Sequence, residues 1–179
     1  VIWTPVTRSD IPKGWCALFK ESSQAICAYM DIRDINTYYK KWSATFRTYH
    51  NRFPMQSRYR VEEVKYTTFS KQYQVYGRKS VAMRLVIDQM ENLESLDARP
   101  THYYFLVDTE TATPVAGIAI VDCLSVRQSF YITAFTRKNI APKEAGLWLI
   151  DFWMKKSSER GMFYANLGNI WTKGHPASW

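Results

Sequence analysis

The ten residues Arg137-Lys-Asn-Ile-Ala-Pro-Lys-Glu-Ala-Gly146 hold the densest set of groups in this sequence suited to an anion. Arg137, Lys138 and Lys143 bring positive charge, and Ala145-Gly146 opens a long apolar segment that reads as a helix. The start of a helix leaves amide N–H groups unpaired and carries partial positive charge, so it suits phosphate. Pro142 fits a first helical turn but withholds one amide, and Glu144 opposes an anion. Two more residues have the chemistry of acid–base work, in which a base takes a proton and a donor meets developing charge or a leaving group. Asp122 ends a long apolar stretch, where burial would poise its carboxyl as a base; the plainer reading is a strand-end carboxylate in water. Tyr164, after the long helix, can donate a proton to a leaving group or simply pack as an aromatic.

Other chemistries find little support. His50, His102 and His175 share no ligand spacing with any cluster of Cys, Asp or Glu, so no metal is expected. No G-x-S-x-G elbow supports a Ser/His/Asp arrangement. Cys16, Cys27 and Cys123 are an odd, sparse set without CxxC, which fits small buried or half-buried residues in a reducing compartment.

The net charge of +8 on 179 residues is unevenly spread. Residues 33–60 carry a balance of +6 and residues 137–179 one of +4, against −2 elsewhere. Two basic patches flanking a neutral middle fit an anionic carrier or tRNA, and fit ordinary solubilising charge equally well. A 46% hydrophobic and 16% aromatic content excludes a disordered chain. The longest apolar stretch, Gly146–Met154, is interrupted by Asp151 and too short to span a bilayer. Residues 1–10 lack the basic and apolar regions of a signal peptide, so a cytoplasmic location is expected. The chain starts without Met, which reads as a trimmed N-terminus.

The elements that must position these groups follow from periodicity. Residues 1–23 are loop-rich, and Gln24–Ile32 alternates as a strand. Ile35–Phe53 reads as a basic amphipathic helix after Asp34, with Tyr39, Trp42, Phe46 and Tyr49 on one stripe and Pro54 ending it. Arg58–Tyr66 is a strand. Thr67 or Thr68 caps a helix to about Arg78, and Ser80 caps another over Val81–Leu96 that buries Met83, Val86, Ile87, Met90 and Leu93. His102–Asp108, Val115–Val126 and Gln128–Thr136 then read as three consecutive antiparallel strands. The small Ala116, Gly117 and Ala119 imply a close approach to the middle strand. A helix runs from Pro142 to Arg160 and stops at Gly161, and Phe163–Leu167 is a last short strand.

In this order, Tyr103 to Leu167 resembles the core of the GNAT superfamily, and more closely its FemX-like (FemABX) branch. The likeness rests on Pro114-Val-Ala-Gly-Ile-Ala-Ile-Val121, Ala145-Gly146-Leu-Trp148, Glu159-Arg160-Gly161, Asn166-Leu-Gly168 and Lys173-Gly-His-Pro-Ala-Ser-Trp179. At the level of element order it extends over roughly residues 24 to 179. It implies an α/β (α+β) fold with a mixed, mostly antiparallel sheet flanked by helices. It also implies a single domain over residues 1–179 that transfers an acyl or aminoacyl group onto an amine acceptor, its donor being aminoacyl-tRNA or acyl-CoA. Arg137, Lys138, Lys143, Ala145 and Gly146 would hold the donor's phosphates, with Asp122 and Tyr164 as catalytic candidates. The usual GNAT loop has a Gln or Arg, two residues, Gly, one residue, then Gly or Ala, whereas this loop has only Gly146. That departure favours aminoacyl-tRNA over acetyl-CoA. An acetyl-CoA-dependent N-acetyltransferase and a non-catalytic GNAT-like binding module stand as the alternatives. FemX-like proteins continue past a Trp of this kind with Gly-Phe and Phe-Lys pairs, so the C-terminus reads as truncated.

Overall fold

The middle of the chain drops the polar half of its alternation, and a strand that is apolar on both faces must be covered on both faces. That is what the sheet does. A computed structural model describes residues 25–36, 40, 44–52, 58–77, 87–88, 90–92 and 100–171. Along these run β1 (Ala25–Asp31), α1 (Ala44–Arg52), β2 (Tyr59–Val64), α2 (Tyr66–Tyr76), β3 (Thr101–Asp108) and β4 (Thr113–Cys123). They are followed by β5 (Gln128–Thr136), α3 (Ala145–Glu159) and β6 (Tyr164–Trp171). The six strands form one sheet in the order β1-β6-β5-β4-β3-β2. The pairs β2–β3, β3–β4 and β4–β5 are antiparallel, and β5–β6 is parallel with α3 as its crossover. The fold is therefore the expected mixed, mostly antiparallel sheet flanked by helices. Ala28–Gly168 forms one compact unit; the chain ends, of which residues 25–27 and 169–171 are described, form a second.

Successive residues of β3 and β4 serve opposite layers. Tyr104, Leu106, Ile118 and Ile120 pack under Trp148, Leu149, Trp153 and Met154 of α3. Tyr103, Phe105, Val107 and Ala119 pack with Phe69 and Tyr73 of α2, Met90 and Phe135. Burying one such large side chain contributes about 1.5–3 kcal/mol, so these two layers dominate the fold's stability. The close approach implied by Gly117 is made by the protein's own rings. A Cβ there would lie 2.4 Å from the Phe135 ring and 2.9 Å from Phe105. Only glycine lets the two rings close over β4.

Several boundaries differ from the sequence reading, each for a local reason. The apolar run after β4 does not stay extended to Val126, because Leu124–Val126 is a 3-10 turn closed by Arg127 in the left-handed region (φ 50°). β4 instead starts at Thr113, taking in Pro114. α2 starts before either threonine, with the Lys65 carbonyl accepting from the Thr68 and Phe69 amides at 3.0 Å each. α3 starts at Ala145, and Pro142 belongs to the preceding turn, where its carbonyl accepts from the Ala145 amide at 3.1 Å. Gly161 ends α3 as expected. It takes φ 84°, its amide donates to Ser158 O at 2.9 Å, and the Met162 amide donates to Ser157 O at 2.9 Å, a Schellman arrangement.

Of the basic helix expected over Ile35–Phe53, residues 33–36 are a turn and Ala44–Arg52 is helical. The side chains of Tyr39, Trp42, Phe46 and Tyr49 lie outside the described residues. In the expected Val81–Leu96 helix, Met90 is buried and Ile87 half-buried; Met83, Val86 and Leu93 lie outside the described residues.

Candidate functional site

β5 turns an antiparallel sheet into a parallel pair. Among the described residues the parallel ladder covers Gln128↔Tyr164, Ser129↔Ala165 and Phe130↔Asn166. On its other side, β5 loses register with β4: Ile120 faces Tyr131 while Ala119 faces Thr133. Ile132 is thus the extra residue of a bulge, which bends a strand and leaves backbone unpaired. The bulge follows directly on Phe130, the last β5 residue of this ladder, so the pairing of β5 is interrupted on both sides around Tyr131–Ile132.

The predicted anion loop stands at the far end of β5. Thr136 and Lys138 are exposed there, as are Lys143 and Gly146 in the loop and first turn of α3. A Cβ built on Gly146 meets nothing within 4 Å, so the space over that turn is open. Ala145 is buried in the core, and its amide is taken by Pro142 O. The next amides, of Gly146 and Leu147, have no intrahelical acceptor by position. Glu144 is not free to repel an anion, since Arg52 donates to its Oε1 at 3.3 Å. Arg137 is pinned: Nη1 donates to Pro114 O at 3.3 Å, its amide donates to Val115 O at 2.9 Å, and its guanidinium lies 4.3 Å from the Tyr76 ring centroid.

Asp122 and Tyr164 both lie toward the opposite end of β5, on the two strands that flank it, away from that loop. Asp122 pairs in register with Ser129, one position from Tyr164's partner Gln128. α3 alone, at 15 residues, spans about 22 Å between the two groups. Asp122 is fully buried. Arg160 Nε donates to its Oδ2 at 2.6 Å, Arg160 Nη1 to the Tyr104 hydroxyl at 3.0 Å and Arg160 Nη2 to Ser157 Oγ at 3.0 Å. Ser157 Oγ and Trp153 Nε1 then donate to Ser129 Oγ at 3.0 and 2.7 Å. Burial works against the Arg160 charge, but hydrogen bonding and attraction to Asp122 outweigh it and raise its pKa. His102 Nδ1 lies 2.8 Å from Glu63 Oε1, and its Nε2 lies 3.6 Å from Asp122 Oδ2. Half-buried Tyr164 has the Arg33 guanidinium 5.6 Å from its ring centroid. Among the described residues, no group of three or more His, Cys, Asp and Glu is placed to hold a metal, and no helix is long and apolar enough to cross a membrane.

One residue that the sequence did not single out sits at this interruption of the pairing. Tyr131 is the last β5 residue before the bulge, and its ring packs 6.5 Å from that of Trp153. Burial, helped by the nearby Tyr73, pushes its phenol up to about 12. Burial does the same for Tyr104, to about 12, against the opposing pull of Arg160. A period-two strand pattern carries no mark of this.

Both phenols hold their proton in the folded state after the unfolded chain has lost it, at about pH 10. The folded state then binds more protons, so stability falls as pH rises. The contribution is intact below about pH 10 and lost as pH climbs through about 12. Tyrosinate absorbance and urea midpoints followed together are expected to show late-ionising phenols titrating with unfolding. Tyr104→Phe is expected to flatten the alkaline loss, and an unchanged slope would refute the assignment.

No protein-family profile matches the sequence, and no curated protein matches it. Solved structures do. The chain is similar to FemX, with a TM-score of 0.64 and 9% identity over 85% of this chain and 55% of that one. It is similar to L-PGS from Bacillus licheniformis, with a TM-score of 0.60 and 16% identity over 88% and 50%. A third likeness is to the C-terminal domain (DUF2156) of a protein named as a lysylphosphatidylglycerol synthetase from Agrobacterium fabrum, with a TM-score of 0.53 and 13% identity over 83% and 47%. Identities this low establish a shared fold. The chain spans about half the length of each of these structures.

Proposed function

We propose that this chain carries the transfer site of a FemX-like, GNAT-fold acyl or aminoacyl transferase that forms an amide on an amine acceptor. The single observation behind this reading is the interruption of β5's pairing at the Ile132 bulge and the ladder end, with the amino end of α3 and two exposed lysines beyond it; β5 and β6 would part there into a cleft. The donor would lie along that cleft. Lys138, Lys143 and the Gly146 and Leu147 amides would face its phosphates, with Ala145 shaping the turn and Arg137 held nearby. The reacting carbonyl would sit at the vertex, where unpaired backbone can receive a developing oxyanion. There the amine nitrogen bonds to the carbonyl carbon and loses a proton, the bond to the carrier breaks, and the carrier leaves with a proton. Tyr131, kept protonated, is the donor nearest the vertex. Asp122 and Tyr164, the sequence candidates, sit on the closed side of it, and Asp122 is already committed to Arg160.

The FemX-like resemblance of the sequence and its departure from the usual GNAT loop favour aminoacyl-tRNA as donor, and the neighbours add a shared fold. Acyl-CoA and a silent binding module are the rivals. Direct binding of aminoacyl-tRNA, uncharged tRNA and acetyl-CoA, each followed across a salt series, separates the three. Neutralising one phosphate contact lowers the slope of log affinity against log salt by roughly 0.7–0.9. The Lys138→Ala/Lys143→Ala variant is therefore expected to bind the preferred donor more weakly, with a salt slope flatter by roughly 1.4–1.8. A slope unchanged by both substitutions would remove the donor from this loop. Binding without turnover on any amine would leave the silent module.

A further inference from the structure

The loop that offers charge also builds a flat surface. Tyr76 closes α2 with 37% of its surface exposed, and its ring stacks on Phe135 at 6.2 Å and 28°. The Arg137 guanidinium caps it at 4.3 Å. Two bonds fix that guanidinium and its backbone to β4, at Pro114 O and Val115 O. An arginine anchored at both levels does not pay again to be ordered when something stacks on it. Lys138 follows directly and Lys143 stands in the same loop, both exposed and with no ion pair among the described residues. Planar cation, aromatic ring and two lysines are what a base with its phosphates needs.

We infer that Arg137 and Tyr76 form a stacking platform for the purine of a phosphorylated nucleotide, with Lys138 and Lys143 on its phosphates. This rests on the donor reading above and deepens it, because coenzyme A and the acceptor end of tRNA both present an adenine beside phosphate. The chemistry shared by the two sources is thus an adenine nucleotide. A purely structural role for the stack would leave the platform's outer face without a ligand.

The probes are ADP, which carries base and phosphates, and pyrophosphate, which carries phosphates alone. Wild-type protein is expected to bind ADP more tightly than pyrophosphate. Tyr76→Ala is expected to weaken ADP about tenfold, to the level of pyrophosphate, and to leave pyrophosphate unmoved, whereas Arg137→Ala, which also removes a charge, is expected to weaken both, ADP the more. Tyr76→Phe, which keeps the ring, is expected to bind ADP as wild type does. Lys138→Ala is expected to weaken both ligands together. Thermal melts of each variant show whether the fold is kept, and a melted variant is replaced by Arg137→Lys, which keeps charge but loses the planar stack. Equal affinity of wild type for ADP and pyrophosphate, or ADP binding unaffected by Tyr76→Ala, overturns the platform. If aminoacyl-tRNA or acetyl-CoA still binds and is weakened by the lysine variants, the transferase reading survives that failure; if no donor binds at all, that reading fails with it. Coenzyme A measured against the trinucleotide CCA then tells which source the platform prefers.

Discussion

Arg160→Met is expected to cost about 3–5 kcal/mol of folding stability, above the cost of Asp122→Asn. The two residues form one ion pair at 2.6 Å, yet their surroundings differ. The Asp122 side chain is 1% exposed, so removing the guanidinium leaves a carboxylate sealed from water with only the His102 ring, 3.6 Å away, beside it. The Arg160 side chain is 26% exposed and also donates to Tyr104 and Ser157. With Asp122 neutralised it keeps two partners and gains water, so about 1.5–3 kcal/mol is expected there, the range of a hydrogen bond to a charged group. The pair ties β4 and β3 to the last turn of α3, and through Ser157 and Ser129 to β5. Removing both charges restores a neutral interior, so Asp122→Asn/Arg160→Met is expected to be more stable than Arg160→Met alone. Urea unfolding of the three variants tests this. Equal costs for the single variants, or a double variant at their sum, would show the pair to be uncoupled.

What the sequence made legible here was whatever is written in consecutive residues. β5 begins and ends where its alternation does, at Gln128 and Thr136, and Gly161 stops α3 because only glycine takes φ 84° there without strain. The anion-loop candidate could be put forward for the same reason, its charges being neighbours in the chain. Side-chain partnerships across strands left no such mark. Asp122 read as a strand-end acid because nothing local announces Arg160, which reaches it only once α3 has crossed back over the sheet. The stack of Arg137 on Tyr76 joins a loop to a helix that the sequence placed in separate passages. The bulge at Ile132 is a matter of register between β4 and β5, which apolar patterning on a doubly covered strand does not specify. The vertex of the proposed cleft, the feature on which the functional reading turns, was for this reason invisible before the fold.

Tyr131→Phe tests that vertex most directly. The substitution keeps the ring against Trp153 and removes only the hydroxyl, so packing and fold are expected to persist. If the phenol gives its proton to the departing carrier, kcat is expected to fall about a hundredfold, the lower range for a positioned acid. The KM for the donor is expected to hold, because the lysines and helix amides proposed to bind it lie toward the Thr136 end of β5. A phenol held near 12 is a reluctant acid, but the ribose oxygen of a departing tRNA is the stronger base as its bond breaks, and the proton moves late; a thiolate, whose thiol ionises at about 8.5, would leave without it. A Tyr164→Phe control, on the closed side of the ladder, is expected to change kcat less than tenfold if the vertex assignment holds. Comparable losses in both variants would move the chemistry down the ladder toward Asp122, and a loss confined to KM would make Tyr131 part of the donor's wall.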